Sequence, residues 1–305
     1  MELSAFLASV LNAGTLLALA SLGLLLHERA GVVNLGAEGM LLVSALSGYA
    51  VCFTTGSQGL GFLAAAFSAA LLAGLFAVLA ILISTNQYAT GLALNLFGAG
   101  LSAFVGTRYA DKQLPARPSF DGFGLAELPV IGPLLFKQHP LVLITLVLGF
   151  ALYWFFKRAR LGLLLCALGE APESAHALGY HVRRLRFLSV VAGGALCGLA
   201  GGYLSLVYTP LWVEGISAGR GYMALALTTF ATWRPLRVLL GAYLFAAVTS
   251  LQFYLQAEGV AIPSQWLSML PYLSTIVVLA LISRDQGFVR RYMPAALGKP
   301  FPRTS

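Results

Sequence analysis

The stretch Leu3-Ser-Ala-Phe-Leu-Ala-Ser-Val-Leu-Asn-Ala-Gly-Thr-Leu-Leu-Ala-Leu-Ala-Ser-Leu-Gly-Leu-Leu-Leu26 carries no charge across 24 residues. A bilayer core needs about 20 mostly apolar residues per helix, so this run predicts a first transmembrane helix. It is too long for the apolar region of a cleavable signal peptide, and no basic segment precedes it. Working outward, further apolar runs lie at 39–55, 60–83, 87–106, 138–156, 187–209, 217–233, 238–256 and 265–283. The expected fold is therefore an all-α polytopic membrane protein with about nine spans, eight to ten being the range. The second and seventh runs are short, and the seventh reads as a re-entrant or broken helix.

Composition agrees. The 305 residues are 59% hydrophobic and only 10% charged, whereas a soluble domain carries roughly 25% charged residues. The 33 glycines suit close helix packing in lipid, where small residues let backbones approach. A net charge of +8 would suggest nucleic acid in a soluble chain, but here the arginines fall between apolar runs, which is the pattern of membrane topology. With the N-terminus outside, the inner face takes Arg29, six basic residues between Lys157 and Arg186, Arg234, Arg237 and five in the tail, fourteen in all. The outer face takes five: Arg108, Lys112, Arg117, Lys137 and Arg220. The expectation is N-outside, C-inside, for an odd number of spans.

Nothing divides the chain, so residues 1–305 form one membrane domain with two long connections. Residues 107–137 form a Pro- and Gly-rich extracytoplasmic segment, and 157–186 form the longest inner loop. Within that loop, Pro172 and Glu173 resemble a first helical turn and Gly179 stands where a C-cap belongs, predicting a short surface helix. Cys52, Cys166 and Cys197 match no metal motif, and their odd number opposes a disulfide framework. The four histidines offer no ligand pattern either, so neither metal nor cofactor is expected.

Two segments echo each other. Leu35-Gly-Ala-Glu-Gly-Met-Leu-Leu42 follows the first span and Ser217-Ala-Gly-Arg-Gly-Tyr-Met-Ala224 follows the sixth. Each sets a charged residue, Glu38 or Arg220, before a glycine that opens an apolar helix. On opposite sides of the membrane, this is the arrangement of inverted repeats whose broken helices meet near a substrate. A carboxylate deep in a membrane costs roughly 2.5–3.5 kcal/mol on insertion scales. Glu38 therefore either faces a cavity or partner, or caps a helix start. His27, Glu28 and Arg29 read as an interfacial ion cluster. Asn34, Asn86, Gln87, Asn95, Gln252 and Gln265 are amides in apolar surroundings that either join helices or line a path. Trp212 and Trp266 suit the interfacial belt, and Trp212, Arg220 and Tyr222 complete the candidate pathway set.

These motifs together resemble permeases of ATP-binding-cassette (ABC) importers, most closely the simple sugar and nucleoside branch of the ribose and branched-chain amino-acid permease family. Glu28-Arg-Ala-Gly-Val-Val-Asn-Leu-Gly-Ala-Glu-Gly-Met40 is similar to the family's N-terminal signature, and Asn86-Gln-Tyr-Ala-Thr-Gly-Leu-Ala-Leu-Asn95 to its fourth-span motif. Glu214-Gly-Ile-Ser-Ala-Gly-Arg-Gly-Tyr-Met-Ala-Leu-Ala226 is similar to its second-half motif, and Met269-Leu-Pro-Tyr272 to its final span. The resemblance covers about residues 12–283. It implies that the inner loop is a coupling loop docking on an ATPase, with Gly169, Glu170, Ala171, Pro172, Glu173, Ala175 and Gly179 carrying the motif. Relatives usually read Gly-Glu-Asn-Pro where this chain has Gly-Glu-Ala-Pro, and they tend to carry a basic residue near Leu165 or Cys166.

The resemblance also implies alternating access in the cytoplasmic (inner) membrane by two permease chains, the second a paralogue, resting on two ATPase subunits and fed by an extracytoplasmic solute-binding protein. Nucleosides are the first expected solute, simple sugars the second and branched-chain amino acids a distant third. None of Lys112, Lys137, Lys157 and Lys299 is followed by Ser or Thr, so the chain has no phosphate-binding P-loop and is not itself the ATPase. Two rivals remain. One is an ion-coupled secondary transporter in which Glu38 carries a proton, and the other is an intramembrane enzyme built on His27, Glu28 and Glu38. The enzyme lacks any acidic-pair or His-Glu-x-x-His motif.

Overall fold

The computed structural model describes residues 3–110, 112–114, 138–258, 263–283 and 292–301. These residues form helices α1 (Leu3–Arg29), α2 (Ala37–Thr55), α3 (Gln58–Ala77), α4 (Gln87–Gly106), α5 (Pro140–Arg158), α6 (Arg160–Glu170), α7 (Pro172–Ala177), α8 (Val182–Tyr203), α9 (Arg220–Phe230), α10 (Pro235–Ala257) and α11 (Ser264–Ser283). Single π-helical turns extend α3 over Val78–Leu82 and α8 over Leu204–Tyr208. Among the described residues, seven helices are long and apolar enough to cross a membrane: α1 to α5, α8 and α10, with α3 and α8 counted through their π turns.

Every residue of α1 from Gly14 to Glu28 is buried, which is what a helix apolar all round requires. It packs against α8, α9 and α10. The contact with α8 is set by glycine: a side chain on Gly23 would strike the carbonyl of Gly193, and one on Gly193 would strike that of Gly23. The perimeter is apolar too. Leu63, Phe67, Leu96 and Phe104 are each at least two-thirds exposed. Bare apolar surface on this scale is what a lipid-facing surface looks like.

Each expected span coincides with a helix, but α9 has only 11 residues. At 1.5 Å per residue it is roughly 16 Å long, about half a bilayer core. α9 and α11 stand at the seventh and ninth expected spans and are not among the seven. Two boundaries differ from expectation. α8 begins at Val182, five residues before the expected span, because its Arg186 is buried rather than loop-exposed. The expected inner loop 157–186 instead contains a second helix, α6, beside the short α7. Of the outer segment 107–137, residues 111 and 115–137 lie outside the described residues. Within it, Gln113 pairs with Leu211 in an isolated bridge.

Residues 292–301 cross beneath α1, α6 and α8. Ala296 N–H donates to Gly169 O (2.8 Å), Gly298 N–H to Gly31 O (3.1 Å), and Arg186 Nη1 to Lys299 O (3.2 Å). Phe301 is buried with Leu168, Ala175 and Val182. The tail thus covers the hinge between α6 and α7.

Candidate translocation site

Residues 30–36, between α1 and α2, are non-helical yet buried apart from the half-buried Leu35, so their backbone needs partners inside the protein. Gln87 Oε1 accepts from Val33 N–H (2.9 Å) and Asn34 Oδ1 from Gly36 N–H (2.8 Å). Both amides hold this loop, and both are buried. It delivers Glu38 into the first turn of α2, where the α9 N-terminus meets it.

Glu38 Oε1 accepts from Ser217 Oγ (2.5 Å) and Gly219 N–H (2.7 Å), and Oε2 accepts from Gly221 N–H (2.6 Å). The carboxylate therefore caps α9 while lying in the first turn of α2, and two positive helix ends share one negative charge. Of the two alternatives open for Glu38, the structure displays a cap, though on the helix of the opposite half. Gly221 is required at this contact, since a Cβ there would lie 2.5 Å from Glu38 N and 2.6 Å from its Cα. The two echoed charge–glycine segments are thus in direct contact.

The far end of α9 is held by Glu28, whose Oε2 accepts from Thr228 Oγ1 (2.8 Å) and Trp233 Nε1. Arg29 Nε donates to Trp233 O (2.9 Å) and His27 Nε2 pairs with Val190 O (2.8 Å). His27 and Glu28 are buried, so the expected interfacial ion cluster is corrected. Glu28 and Arg29 share Trp233 just beyond α9 while His27 bonds to α8, because α9 and α8 cover the end of α1.

The remaining candidates separate. Asn95 Nδ2 donates to the hydroxyl of half-exposed Tyr222, and its buried Oδ1 has no partner. Arg220 Nη1 donates to Ile216 O (3.1 Å), and its guanidinium lies 5.7 Å from the Tyr208 ring. Asn86 is an exposed N-cap of α4, accepting from Tyr88 and Ala89 N–H. Trp212, expected at the interface, is buried against Gly106 with Tyr49 and Leu206, while Trp266 is exposed.

Two cavities flank this constellation. One of about 600 Å³ lies between the starts of α1 and α5 and the ends of α8 and α10. Asn12, Gln138, His139, Tyr208, Phe253 and Tyr254 line it, and among the described residues no Asp, Glu, Lys or Arg does. Asn12 Nδ2 donates to Gln138 Oε1 (2.5 Å) and its Oδ1 accepts from Tyr203 (2.7 Å). The other, about 200 Å³, is lined by Arg220, Thr249 and Gln252, and Tyr208 lines both. Sequence reasoning missed the first cavity. The available signal was Asn12, a lone amide inside the otherwise apolar first span.

The residues expected to form the coupling loop lie together around the break between α6 and α7. Ala171 breaks α6 from α7, Gly169 packs against the Arg29 carbonyl, and Ala175 is buried. Pro172 opens α7. Gly179 has φ +87°, and Gly179 and Tyr180 N–H return to His176 and Ala175 carbonyls, the C-cap the sequence predicts. Glu170, Glu173, Leu178 and Tyr180 are exposed, with Leu178 at 77%.

Residues 6–282 match the profile of the family described as branched-chain amino acid transport system / permease component. Among curated relatives, the chain is 38% identical to "Putative glucose ABC transporter permease protein TsgC13" of Haloferax volcanii, with 98% of each chain covered. It is 31% identical to the nucleoside ABC transporter permease protein NupC of Lactococcus lactis subsp. cremoris (92% of each chain). It is 28% identical to the guanosine ABC transporter permease protein NupQ of Bacillus subtilis, covering 93% of this chain and 92% of that one. No solved structure matches it. A glycine-packed helical bundle is thus joined to a sequence match over nearly the whole chain, and the chain belongs to the branched-chain amino acid/ribose-type family of ABC transporter permeases.

Proposed function

We propose that this chain is the permease subunit of an ATP-driven importer of an uncharged, hydroxyl-rich solute, a simple sugar or a nucleoside. The observation that carries the solute class is the neutral lining of the 600 Å³ cavity, where amides, hydroxyls and aromatic faces stand without a formal charge. Such a volume falls in the range of small-molecule sites. The cavity lies at helix ends that the lysine and arginine distribution assigns to the outside, where a solute-binding protein delivers its cargo. From there the route passes Tyr208 into the smaller cavity beside Arg220. Nine spans with N-outside and C-inside in the cytoplasmic membrane complete the reading.

α9 is the moving element in this scheme. Glu38 and Glu28 tie it to both ends of the α1–α2 connection, and the contact of the two echoed segments supports inverted repeats. α7, with Leu178 and Tyr180 beside it, docks in the ATPase. The backing of Gly169 on α1 carries that movement inward. A second, paralogous permease completes the pair. The ion-coupled alternative is weakened by Glu38, whose oxygens are already engaged by three donors.

The test is reconstitution with the cognate ATPase, second permease and binding protein, followed by uptake of labelled hexoses and nucleosides. Asn12→Leu is expected to lower uptake at least tenfold with the complex intact. Glu173→Arg with Leu178→Asp is expected to abolish ATPase association. Normal uptake by Asn12→Leu would remove the cavity from the route, and failure of any ATPase to associate with the unmodified chain would end the importer reading.

A further inference from the structure

A third cavity, about 520 Å³, lies at the opposite ends of the helices from the neutral one. It is formed where α1 and α5 end and α10 begins, with α6 and the tail as its other walls. Arg29, Lys157, Arg234 and Arg237 line it, and among the described residues no acidic side chain does. The first cavity has no formal charge and this one has four positive charges, so the two select different chemistry.

The cations are held in place rather than neutralised by the bonds described. Arg29 reaches Trp233 O and lies 5.8 Å from the Phe156 ring. Lys157 Nζ donates to Tyr153 Oη (2.6 Å) and Arg237 Nη1 to Thr232 Oγ1 (2.7 Å). Arg234 stacks 4.3 Å from the Tyr292 ring. The partners of Arg29, Lys157 and Arg234 are neutral, so positive charge remains concentrated at these three. The N-terminus of the 23-residue α10 opens beside them without a side-chain cap, adding the positive end of its dipole. Glu170 lies near Cys166 in the α6 wall, and its Oε2 accepts from Ala295 N–H (3.3 Å).

A lipid-facing surface begins at the rim. Leu236 lines the cavity, and Leu240 and Leu244 follow it at helical spacing, 72% and 52% exposed. On α5, Tyr153 lines it, while Phe150 and Trp154 beside it are 60% and 63% exposed. A phosphate in the cavity would thus have apolar tracks leading away from it along two spans. Basic pockets between helices on the cytoplasmic side bind anionic headgroups by this combination.

We propose that this pocket binds the phosphate headgroup of an anionic phospholipid, with its acyl chains along α5 and α10. The assignment to the inner leaflet rests on the orientation given under Proposed function, but the binding itself does not. The test uses the full purified chain without ATPase or solute, so its outcome is independent of the importer reading. Delipidated protein is titrated with phosphatidylglycerol, phosphatidylcholine or inorganic phosphate, and bound lipid is counted by native mass spectrometry.

Phosphatidylglycerol is expected to bind, phosphatidylcholine not to, and millimolar phosphate not to compete. Arg234→Gln with Arg237→Gln is expected to weaken binding about thirtyfold, the effect of two basic contacts near a membrane surface. Arg234→Lys with Arg237→Lys should restore most of it. The control Arg108→Gln with Arg184→Gln removes the same charge elsewhere and should bind as the unmodified chain does. Equal binding by the Gln pair and the control overturns the site, provided both fold. Equal occupancy by inorganic phosphate overturns the lipid assignment.

Discussion

Glu38 and Glu28 hold opposite ends of one short helix, and they do it by different physics. Glu38 meets the positive N-terminus of α9 with both oxygens and takes two backbone N–H groups, so dipole and hydrogen bonds act together. Glu28 faces the C-terminal end of α9, where the dipole opposes a carboxylate, and one oxygen takes two side-chain donors. The first contact is built into the backbone and the second into side chains. The half of the site that depends on backbone geometry should tolerate less change.

The largest effect that sharpens this contrast is expected from Glu38→Ala. It strands three donors at roughly 1–3 kcal/mol each, before any relaxation. Thermal unfolding in detergent should fall by several degrees and uptake should be lost. Gly221→Ala follows, since a Cβ against the Glu38 backbone must push α9 away, at about 1–3 kcal/mol. The amide pair is the direct comparison. Glu38→Gln turns an NH₂ toward a donor and should cost about 2 kcal/mol, whereas Glu28→Gln can keep its single oxygen on Trp233 and should cost about 1 kcal/mol. Equal losses in the two variants would erase the distinction drawn between the two ends. The smallest effect is expected from Tyr222→Phe, under about 1 kcal/mol, because Tyr222 is half-exposed and its partner Asn95 already leaves one oxygen unpaired.

The sequence legibly placed the seven described helices that are long and apolar enough to cross a membrane, because an apolar run of span length has few other uses. It misplaced the start of α8 because hydropathy treats Arg186 as water-seeking. In the fold, Arg186 Nη2 donates to Leu168 O (3.1 Å) and Nη1 to Lys299 O, so a cation is satisfied by carbonyls that no local window contains. α6 was missed for a related reason, since its apolar face packs against α1, α5 and α8 rather than spanning. Glu38 was visible as an anomaly and the echo with Arg220-Gly221 was visible as a pattern. Their joining was not, because it is a contact across 183 residues. The 600 Å³ cavity was the least legible, being assembled from four helix ends with ordinary residue types.

The tail over α6 and α7 has a consequence for the order of assembly. Ribosomes make residues 292–301 after the eleven helices described above, so the break at Ala171 lacks its cover until then. A chain released at Arg291 would carry all eleven helices but leave Gly169 O without Ala296 and the Leu168–Val182 cleft without Phe301. Such a truncated chain is expected to insert in the membrane yet fail to retain ATPase in a pull-down. Late stitching of the docking surface would keep motors from engaging transporters that are still being built.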